Sequence, residues 1–370
     1  MSVKQAAQPR RAIVLGGGGV LGFAWTLGAL SAFESVSGAD ARDVDVILGT
    51  SAGSVAASLL GCGLPVEAVV RHHQGVPAPA DPPIDYDYEL STGGALPPRP
   101  GWRPGSYKLA LGGLRHPRRT PRIVALSGLL PSGRGSLAPV RELVATIARG
   151  AGFERVWPDA PRPWIVAADY RTGRRVVFGR DTFSAAASGA VADTGTGTRA
   201  APRVIRRASL PDAVTASCSI PAWYPPTVID GIPYIDGGTI SNASVDVLRN
   251  TGVEEVYVFA PMASVEVDRA RSAIGRVERA VRRTITRTIM TDVTALRAGG
   301  ARVCLVTPEP ADLAAMGVNL MNPARRTEVL EMAQITAAAQ ITRQLTTRAG
   351  WSLPTSTASD LSGAAEDSSA

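Results

Sequence analysis

The sequence predicts an α/β fold with a central, mostly parallel sheet, and a local pattern that occurs twice near the N-terminus supports this prediction. Residues 12–15 form a short apolar run, followed by a glycine-rich turn and a helix-like run over residues 23–33. Residues 44–48 form a second apolar run, followed by a tight turn and a helix-compatible stretch over residues 52–60. Strands that alternate with helices along a chain are typical of a parallel sheet covered by helices.

The first turn contains four consecutive glycines, residues 16–19, and the spacing Gly17-x-Gly19-x-x-Gly22. Consecutive glycines between a strand and a helix expose backbone N–H groups. Such donors bind a phosphate or a developing oxyanion. The same spacing fits the dinucleotide-binding fingerprint, so this motif alone leaves both functions open.

The second turn carries a serine in the pattern Gly49-x-Ser51-x-Gly53. Glycines allow the backbone to turn sharply and other groups to approach closely. A serine at the tip of such a strand-turn-helix unit exposes its hydroxyl at a helix N-terminus and is a candidate nucleophile for acyl transfer. An ordinary helix cap is the alternative interpretation of Ser51. Because this turn follows the glycine-rich turn by one strand-helix unit, the pair favours an oxyanion hole over a nucleotide site.

The histidines limit which base can activate this serine. The chain has three, His72, His73 and His116. An α/β-hydrolase needs the order Ser, then Asp or Glu, then His, and no acid followed by a histidine fits this order outside the proline-rich segment 81–116. The sequence therefore predicts a carboxylate base. The histidines also lack further ligands at zinc spacing, so no metal is expected.

A candidate carboxylate follows a late apolar run in the order Asp236-Gly237-Gly238. An aspartate at the end of a short strand, followed by two glycines, lies beside a tight turn. A plain Asp-Gly turn looks the same, so this motif is informative only together with the other two. Asp169 also follows an apolar strand, and we expect it to cap a turn.

In this order, the three motifs resemble the signature motifs of patatin-like phospholipases. The motifs are Gly17-x-Gly19-x-x-Gly22, Gly49-x-Ser51-x-Gly53 and Asp236-Gly237-Gly238. The segments 166–173 and 216–226 resemble further parts of that family. The resemblance runs over about residues 11–350 and implies a three-layer α/β sandwich with a central, mostly parallel sheet.

The resemblance also implies an activity, the hydrolysis of fatty acyl esters, with a phospholipid or lysophospholipid as substrate. Ser51 is then the nucleophile and Asp236 the base of a Ser-Asp dyad. The backbone N–H groups of Gly17, Gly18 and Gly19 form the oxyanion hole. The reaction passes through an acyl-enzyme and needs neither a metal nor a cofactor.

One residue departs from the pattern of the family, since Leu21 stands where the family often carries Arg or Lys. Backbone donors do not need that side chain, so the predicted oxyanion hole is unaffected, but a charge for head-group binding is missing there. Five glycines are expected to support the three motifs: Gly22, Gly49, Gly53, Gly237 and Gly238.

Two alternatives from other classes stay open. A nucleotide-binding oxidoreductase would hold a pyrophosphate on the glycine turn and needs an acid near the end of the second strand. Asp40, Asp43 and Asp45 are available for that role, but this reading gives Ser51 and Asp236 no function. A catalytically silent lipid-binding protein would keep the fold and lose the nucleophile or the base, and both are present.

The composition bounds the partners and the location. With 370 residues, 45% of them hydrophobic and 5% aromatic, the chain has the ordinary make-up of a globular enzyme. The net charge of +7 suits an anionic lipid surface, and no nucleic-acid-binding motif occurs. Three widely separated cysteines indicate a reducing compartment. We therefore expect a cytoplasmic protein with peripheral contact to an anionic membrane.

The N-terminus imitates a targeting segment. Arg10-Arg11 precedes an uncharged stretch over residues 12–33, which resembles a twin-arginine signal or a membrane span. That stretch contains the glycine motif, and its removal would delete the predicted oxyanion hole. We therefore expect neither a signal peptide nor a transmembrane segment.

The domain organisation predicted from the sequence is a single acyl hydrolase domain over residues 11–350, after an N-terminal extension over residues 1–10. Within it, residues 77–122 form a flap-like insertion and residues 184–202 a flexible loop, and residues 351–370 form a disordered tail. The insertion carries seven Lys or Arg and no acid over residues 99–122. That charge suits contact with an anionic membrane surface. A solvated flap that only covers the active site is the other interpretation, and the prolines favour it because they make a poor amphipathic helix.

Overall fold

The structure of the protein is a computed structural model that describes residues 9–88, 130, 133–180, 203–205, 208–266, 273–347 and 351. The strands are β1 (Arg11–Leu15), β2 (Val46–Thr50), β3 (Arg162–Asp169), β4 (Arg175–Phe178), β5 (Arg203–Ile205), β6 (Thr227–Ile229), β7 (Ile232–Asp236), β8 (Glu255–Phe259) and β9 (Arg302–Val306). The helices are α1 (Gly19–Ser37), α2 (Ala52–Gly61), α3 (Val66–Gln74), α4 (Ala138–Gly150), α5 (Leu210–Ser217), α6 (Ala273–Ala298), α7 (Pro310–Met316) and α8 (Arg326–Thr347). Short 3-10 turns cover Gly237–Thr239, Val245–Leu248 and Pro323–Arg325.

A single mixed sheet organises these elements, in the order β5-β4-β3-β2-β1-β8-β9. The strands β3, β2, β1, β8 and β9 are parallel neighbours. The strands β4 and β7 both pair with β3 in antiparallel fashion. The fold is therefore mixed α/β with a central, mostly parallel sheet, and this confirms the fold class predicted from the sequence.

Apolar cores lie on both faces of the sheet, because successive side chains of a strand point to opposite faces. In β1, Ile13 and Leu15 belong to the core formed with α1, α2, α4, α5 and α8. Ala12 and Val14 point the other way, into a core that includes Ile289 of α6. Helices thus cover both faces of the sheet, and the predicted three-layer arrangement is confirmed.

Helix α1 accounts for the apolar stretch near the N-terminus. By length and composition it is the one described helix that would be able to cross a membrane, but 67% of an apolar stretch of 18 residues within it is buried inside the protein. Trp25, Leu30 and Phe33 of this helix lie in the core between the sheet and α8. Packing against the sheet is therefore sufficient to explain its composition.

Element boundaries differ from the predicted ones where local turns replace regular structure. The second strand begins at Val46, because the Asp45 carboxylate accepts a hydrogen bond from the Arg11 N–H at 2.8 Å and belongs to the preceding turn. This shift makes β2 end directly before Ser51. The long helix predicted over 264–298 begins at Ala273 in the described part of the chain. Ser264 instead donates its backbone N–H to the side chain of Thr286.

The predicted insertion, loop and tail are described only in part. Residues 77–88 run without a strand along the helical layer, and the remainder of the predicted insertion, residues 89–122, lies outside the described residues. The loop predicted over 184–202 also lies outside them. Of the predicted tail only Trp351 is described, and its ring contacts the ring of Tyr257 at 5.2 Å. The packed part of the chain therefore includes residue 351.

Candidate active site

The register of three strands brings Ser51 and Asp236 together although 185 positions separate them in the sequence. Thr50, the last residue of β2, pairs with Val166 of β3. The next residue of β3, Ala167, pairs with Asp236 at the end of β7. Ser51 and Asp236 therefore lie at the ends of the two strands that flank β3, at neighbouring positions along β3.

Ser51 occupies a strained turn between β2 and α2. Its φ of 53° and ψ of −124° lie outside the regions that a side chain normally allows. Such a conformation costs about 1–3 kcal/mol and persists only where the surroundings hold it. The side chain is only 6% exposed, so this turn presents the serine to an internal space rather than to the protein surface.

Gly53, two residues after the serine, makes this turn possible. A Cβ on Gly53 would lie 2.1 Å from the carbonyl oxygen of Leu15, at the end of β1. No other residue permits this approach, and the approach brings the two strand-to-helix turns into contact. Gly49 is confined in the same way, since its Cβ would lie 2.4 Å from the Gly53 carbonyl oxygen.

The predicted glycine loop lies directly against the serine. A Cβ on Gly17 would stand 3.0 Å from the Cβ of Ser51, so a larger residue would push Ser51 aside. Gly18 is the residue before α1, and Gly22 lies one turn into that helix, with its N–H bonded to the Gly18 carbonyl at 2.9 Å. The structure therefore brings the first two motifs together.

The third motif closes the site from the other side. The Gly238 N–H donates to Oδ1 of Asp236 at 2.7 Å, and this bond fixes the carboxylate at the start of the 3-10 turn. A Cβ on Gly237 would lie 2.6 Å from the Val166 carbonyl oxygen, so this turn lies flat against β3. The side chain of Asp236 is 5% exposed.

Burial dominates the electrostatics of Asp236. It raises the pKa of the carboxyl to about 6, while hydrogen bonds from the Ser51 side chain and from the Gly238 N–H favour the charged form and limit the rise. The aspartate is thus charged at neutral pH and is a stronger base than an exposed carboxylate.

Residues 217–219 hold both residues in place, and they belong to the segment 216–226, to which the sequence analysis assigned no role in the site. The hydroxyl of Ser217, at the end of α5, accepts the Ser51 N–H at 2.8 Å and donates to the Val166 carbonyl at 2.6 Å. Two residues later, the Ser219 carbonyl accepts the Asp236 N–H at 3.0 Å. The segment 217–219 therefore connects the serine turn, β3 and the aspartate.

The donors available for an oxyanion differ from the predicted set. The Gly17 N–H already donates to the Asn242 carbonyl at 3.0 Å, so it is not free to bind a substrate oxygen. Within the described part of the chain, the N–H groups of Gly18 and Gly19 donate to no protein acceptor. The expectation of three glycine donors is therefore narrowed to these two.

An apolar cavity of about 90 Å³ opens beside Ser51. Its apolar walls come from α1, α2, α4, the segment after α5 and the residues before the last 3-10 turn: Val20, Phe23, Ala52, Val55, Leu137, Val140, Leu143, Ile220 and Met321. Besides Ser51, the remaining lining residues are Gly19, Tyr86, Tyr88, Cys218 and Tyr224. The space next to the serine therefore suits a hydrocarbon group.

One wall of the cavity is a strap, residues 81–88, which belongs to the predicted insertion. Asp81 anchors its start through an ion pair with Arg71 of α3, whose Nε lies 2.9 Å from Oδ2 of Asp81. Nε2 of His72 lies 3.1 Å from the Tyr86 carbonyl oxygen. Tyr86 and Tyr88 contact each other edge to face at 5.2 Å. These contacts fix the two aromatic rings that line the cavity.

The histidines of α3 support the strap and do not reach the serine. His73 is fully buried, and its ring contacts Tyr88 at 4.4 Å and Phe23 at 5.9 Å. Neither ring nitrogen of His73 has a hydrogen-bond partner among the described residues. The third histidine, His116, lies outside them.

The geometry argues against a dinucleotide site. Asp40, Asp43 and Asp45 all precede β2, at the edge of the sheet opposite to the glycine loop. The acid of a dinucleotide site follows that strand, near the phosphate-binding turn. Over the described ranges, no three side chains of His, Cys, Asp or Glu converge as metal ligands would.

A three-layer α/β fold with a G-x-S-x-G turn between a parallel strand and a helix is an arrangement that occurs in serine hydrolases. Within that class, the family model of patatin-like phospholipases matches residues 13–249 of this chain. Because this match covers more than half of the 370 residues, the chain belongs to the patatin-like phospholipase family. The resemblance of the three sequence motifs to this family is thereby confirmed.

Two solved structures are similar to this chain at low identity. VipD from Legionella pneumophila aligns with a TM-score of 0.38 and 12% identity, over 93% of this chain and 70% of VipD. The type III effector protein ExoU aligns with a TM-score of 0.31 and 14% identity, over 91% of this chain and 53% of ExoU. This chain thus spans about half the length of ExoU. No curated protein sequence matches it.

His73 predicts how acid affects stability. Burial, together with the nearby charge of Arg326, lowers the pKa of His73 from 6.5 to about 3, so the unfolded chain binds more protons than the folded one between these values. The contribution of the neutral His73 ring to the free energy of unfolding is complete above pH 6.5 and is lost as the pH falls from 6.5 to about 3. This group alone should reduce the free energy of unfolding by roughly 1 kcal/mol between pH of about 7.5 and about 5.5.

Urea unfolding of wild type and His73→Phe at these two pH values measures the effect. The variant should lose that part of the pH dependence, because a phenyl ring binds no proton. His72→Gln is the matched control for replacing a histidine in the same helix. The same pH dependence in wild type and His73→Phe would mean that the pKa of His73 is the same in the folded and the unfolded protein.

Proposed function

We propose that the protein is a serine acyl hydrolase of lipids, of the phospholipase A or lysophospholipase type. The observations that carry the proposal are that the Ser51 side chain lies next to the buried Asp236 carboxylate and acts on its pKa, and that Ser51 also lines an apolar cavity. A serine hydroxyl is a weak nucleophile unless a base takes its proton. The carboxylate supplies that base, and the cavity supplies a place for the acyl chain.

In the first half of the reaction, Asp236 accepts the proton of the Ser51 hydroxyl as Oγ attacks the ester carbonyl carbon. A bond forms between Oγ and that carbon, and the electron pair of the C=O double bond moves onto the oxygen. The N–H groups of Gly18 and Gly19 donate to this oxyanion. When the tetrahedral intermediate collapses, the bond to the leaving alcohol breaks, and Asp236 returns the proton to that alcohol.

In the second half, a water molecule replaces the alcohol. Asp236 takes a proton from the water, whose oxygen attacks the carbonyl carbon of the acyl-enzyme. The bond between that carbon and Oγ of Ser51 then breaks, and the proton passes from Asp236 to Oγ. The fatty acid leaves and the serine is regenerated.

The substrate class follows from the lining of the site. The walls beside Ser51 are aliphatic and aromatic, and burying hydrocarbon there is favourable by about 0.8 kcal/mol for each CH₂ group. The net charge of +7 favours an anionic lipid surface as the source of substrate. The basic segment 99–122, which we predict to meet that surface, lies outside the described residues.

Removal of either member of the dyad should abolish hydrolysis. We expect Ser51→Ala and Asp236→Asn to lower kcat for p-nitrophenyl butyrate by about 100-fold or more, since a general base typically contributes at least that factor. Thermal unfolding shows whether each variant is folded, and labelling with a fluorophosphonate shows whether the serine is activated. Turnover by purified, folded Ser51→Ala would contradict the assignment of the nucleophile.

The matched control for the base is a variant in which His72, His73 and His116 are all replaced. It should keep turnover within about tenfold of wild type, because no histidine takes part in proton transfer. A loss as large as that of Asp236→Asn, in a protein that remains folded, would mean that a histidine is the base.

The pH profile should report the aspartate. Asp236 must be charged to accept a proton, so activity is complete above its pKa and is lost as the pH falls below it. We expect the acid limb of kcat/KM near pH 6, the value to which burial raises this carboxyl. An acid limb at the ordinary value of 3.8 would show that the reacting carboxylate is not buried.

The strap should limit the length of the acyl chain. With p-nitrophenyl esters of increasing length, kcat/KM should rise by about fourfold for each added CH₂ until the cavity is filled. Tyr88→Ala removes one wall, so the rise should continue by about two carbons or more. Tyr88→Phe, which keeps the ring, is the control and should retain the wild-type limit. An unchanged limit in Tyr88→Ala would show that the chain lies elsewhere.

A further inference from the structure

A residue outside the three motifs joins the glycine loop to the aspartate turn. Asn242 follows the 3-10 turn that contains Gly238, and its backbone carbonyl accepts the Gly17 N–H at 3.0 Å. This bond uses a donor that the glycine loop would otherwise offer to the substrate. Because Asn242 occupies this donor from within the site, its side chain is placed where it can contact a bound substrate.

The amide nitrogen of Asn242 lies in the space shared by the dyad. It would be 3.2 Å from a Cβ placed on Gly17, and the Cβ of Ser51 lies 3.0 Å from that same point. A Cβ on Gly238 would lie 3.9 Å from this nitrogen and 3.0 Å from Oδ1 of Asp236. Nδ2 of Asn242 is therefore close to both members of the dyad.

The hydrogen-bonding state of this side chain is unusual for a purely structural residue. Its Oδ1 is buried without a donor among the described residues, although a buried acceptor without a partner lowers stability. Nδ2 donates to no described protein group either, and the side chain is half-buried rather than enclosed. The two N–H groups of the amide thus remain available to a molecule in the site.

We propose that Nδ2 of Asn242 donates a hydrogen bond to the oxyanion that forms when Ser51 attacks the ester, in the place of the Gly17 N–H. The oxyanion hole then consists of two backbone donors, Gly18 and Gly19, and one side-chain donor. This inference rests on the proposed hydrolase function. It makes Asn242 a catalytic residue, since its amide touches the reacting oxygen only in the tetrahedral state.

The test compares Asn242→Ala and Asn242→Asp with wild type. Both side-chain changes keep the backbone bond to Gly17, and aspartate also keeps the shape while replacing the amide donor with acceptor oxygens. We expect kcat for p-nitrophenyl butyrate to fall by about 100- to 1,000-fold, as for loss of one oxyanion donor elsewhere, with KM nearly unchanged. Affinity for an alkyl trifluoromethyl ketone, which forms a tetrahedral adduct with the serine, should fall in parallel.

The control variant is Ser241→Ala. The Ser241 hydroxyl accepts the Ser244 N–H at 3.1 Å within the same turn, so its loss loosens the turn without removing a donor from the site. Ser241→Ala should lower the unfolding temperature and leave the affinity for the ketone near the wild-type value. Thermal unfolding of every variant separates a local effect from misfolding.

Three outcomes would be decisive against the inference. Ketone affinity that stays at the wild-type value in Asn242→Ala would overturn it, and so would full activity in Asn242→Asp. A shift of the acid limb of the pH profile in Asn242→Ala, with unchanged ketone affinity, would make Asn242 a partner of the Asp236 carboxylate instead. Failure of wild type to hydrolyse any ester or to react with a fluorophosphonate would reject the proposed function itself, which is a different result.

Discussion

The contact between Gly53 and the end of β1 is the constraint on which the site depends. Because Gly53 has no side chain, the turn after β2 lies directly against the Leu15 carbonyl, and the two strand-to-helix turns meet. This contact brings the glycine loop within reach of Ser51. It also makes the strained backbone of Ser51 tolerable, because hydrogen bonds from Ser54 to the Ser51 carbonyl, at 2.6 and 2.7 Å, hold the turn from the helix side.

What the sequence predicts well is what local chemistry determines. The alternation of apolar runs, glycine turns and helix-like stretches predicted the parallel sheet, β1, β2 and the two turns between strand and helix. A glycine requirement is local, since it depends on backbone conformation and on close approach within one turn. The turn-capping role predicted for Asp169 is of the same kind, and its Oδ1 accepts the Arg171 N–H at 2.9 Å.

What the sequence did not predict depends on contacts between distant segments. Ser217 binds the backbone of Ser51 across 166 positions, and nothing in a serine at the end of a short helix indicates such a partner. The Asn242 carbonyl accepts the Gly17 N–H because the fold brings the turn after β7 against the glycine loop. This bond occupies one of the three backbone N–H donors that the sequence predicted for the oxyanion hole. The role of Tyr88 was likewise hidden, because a proline-rich segment has no periodicity that shows which side chains face inwards.

Burial has two opposite effects on titratable groups in this protein. At Asp236 it raises the pKa of an acid and makes it a better base at neutral pH, while hydrogen bonds keep it charged. At His73, which is also buried, it lowers the pKa and keeps an imidazole neutral. The same apolar layer thus favours a carboxylate and disfavours a histidine as the group that exchanges protons near neutral pH.

The charged groups of the sheet are distributed in a way that supports this arrangement. Glu255, which is fully buried at the start of β8, pairs with Arg11 and Arg302 of the neighbouring strands at 3.3 and 3.0 Å. These ion pairs lie at the end of the strands opposite to the end that carries Ser51. The edge that carries the serine is lined by glycine backbone and apolar side chains, so Asp236 has no ion-pair partner among the described residues. A carboxylate without a compensating charge keeps its raised pKa, as the proposed role of Asp236 as a base requires.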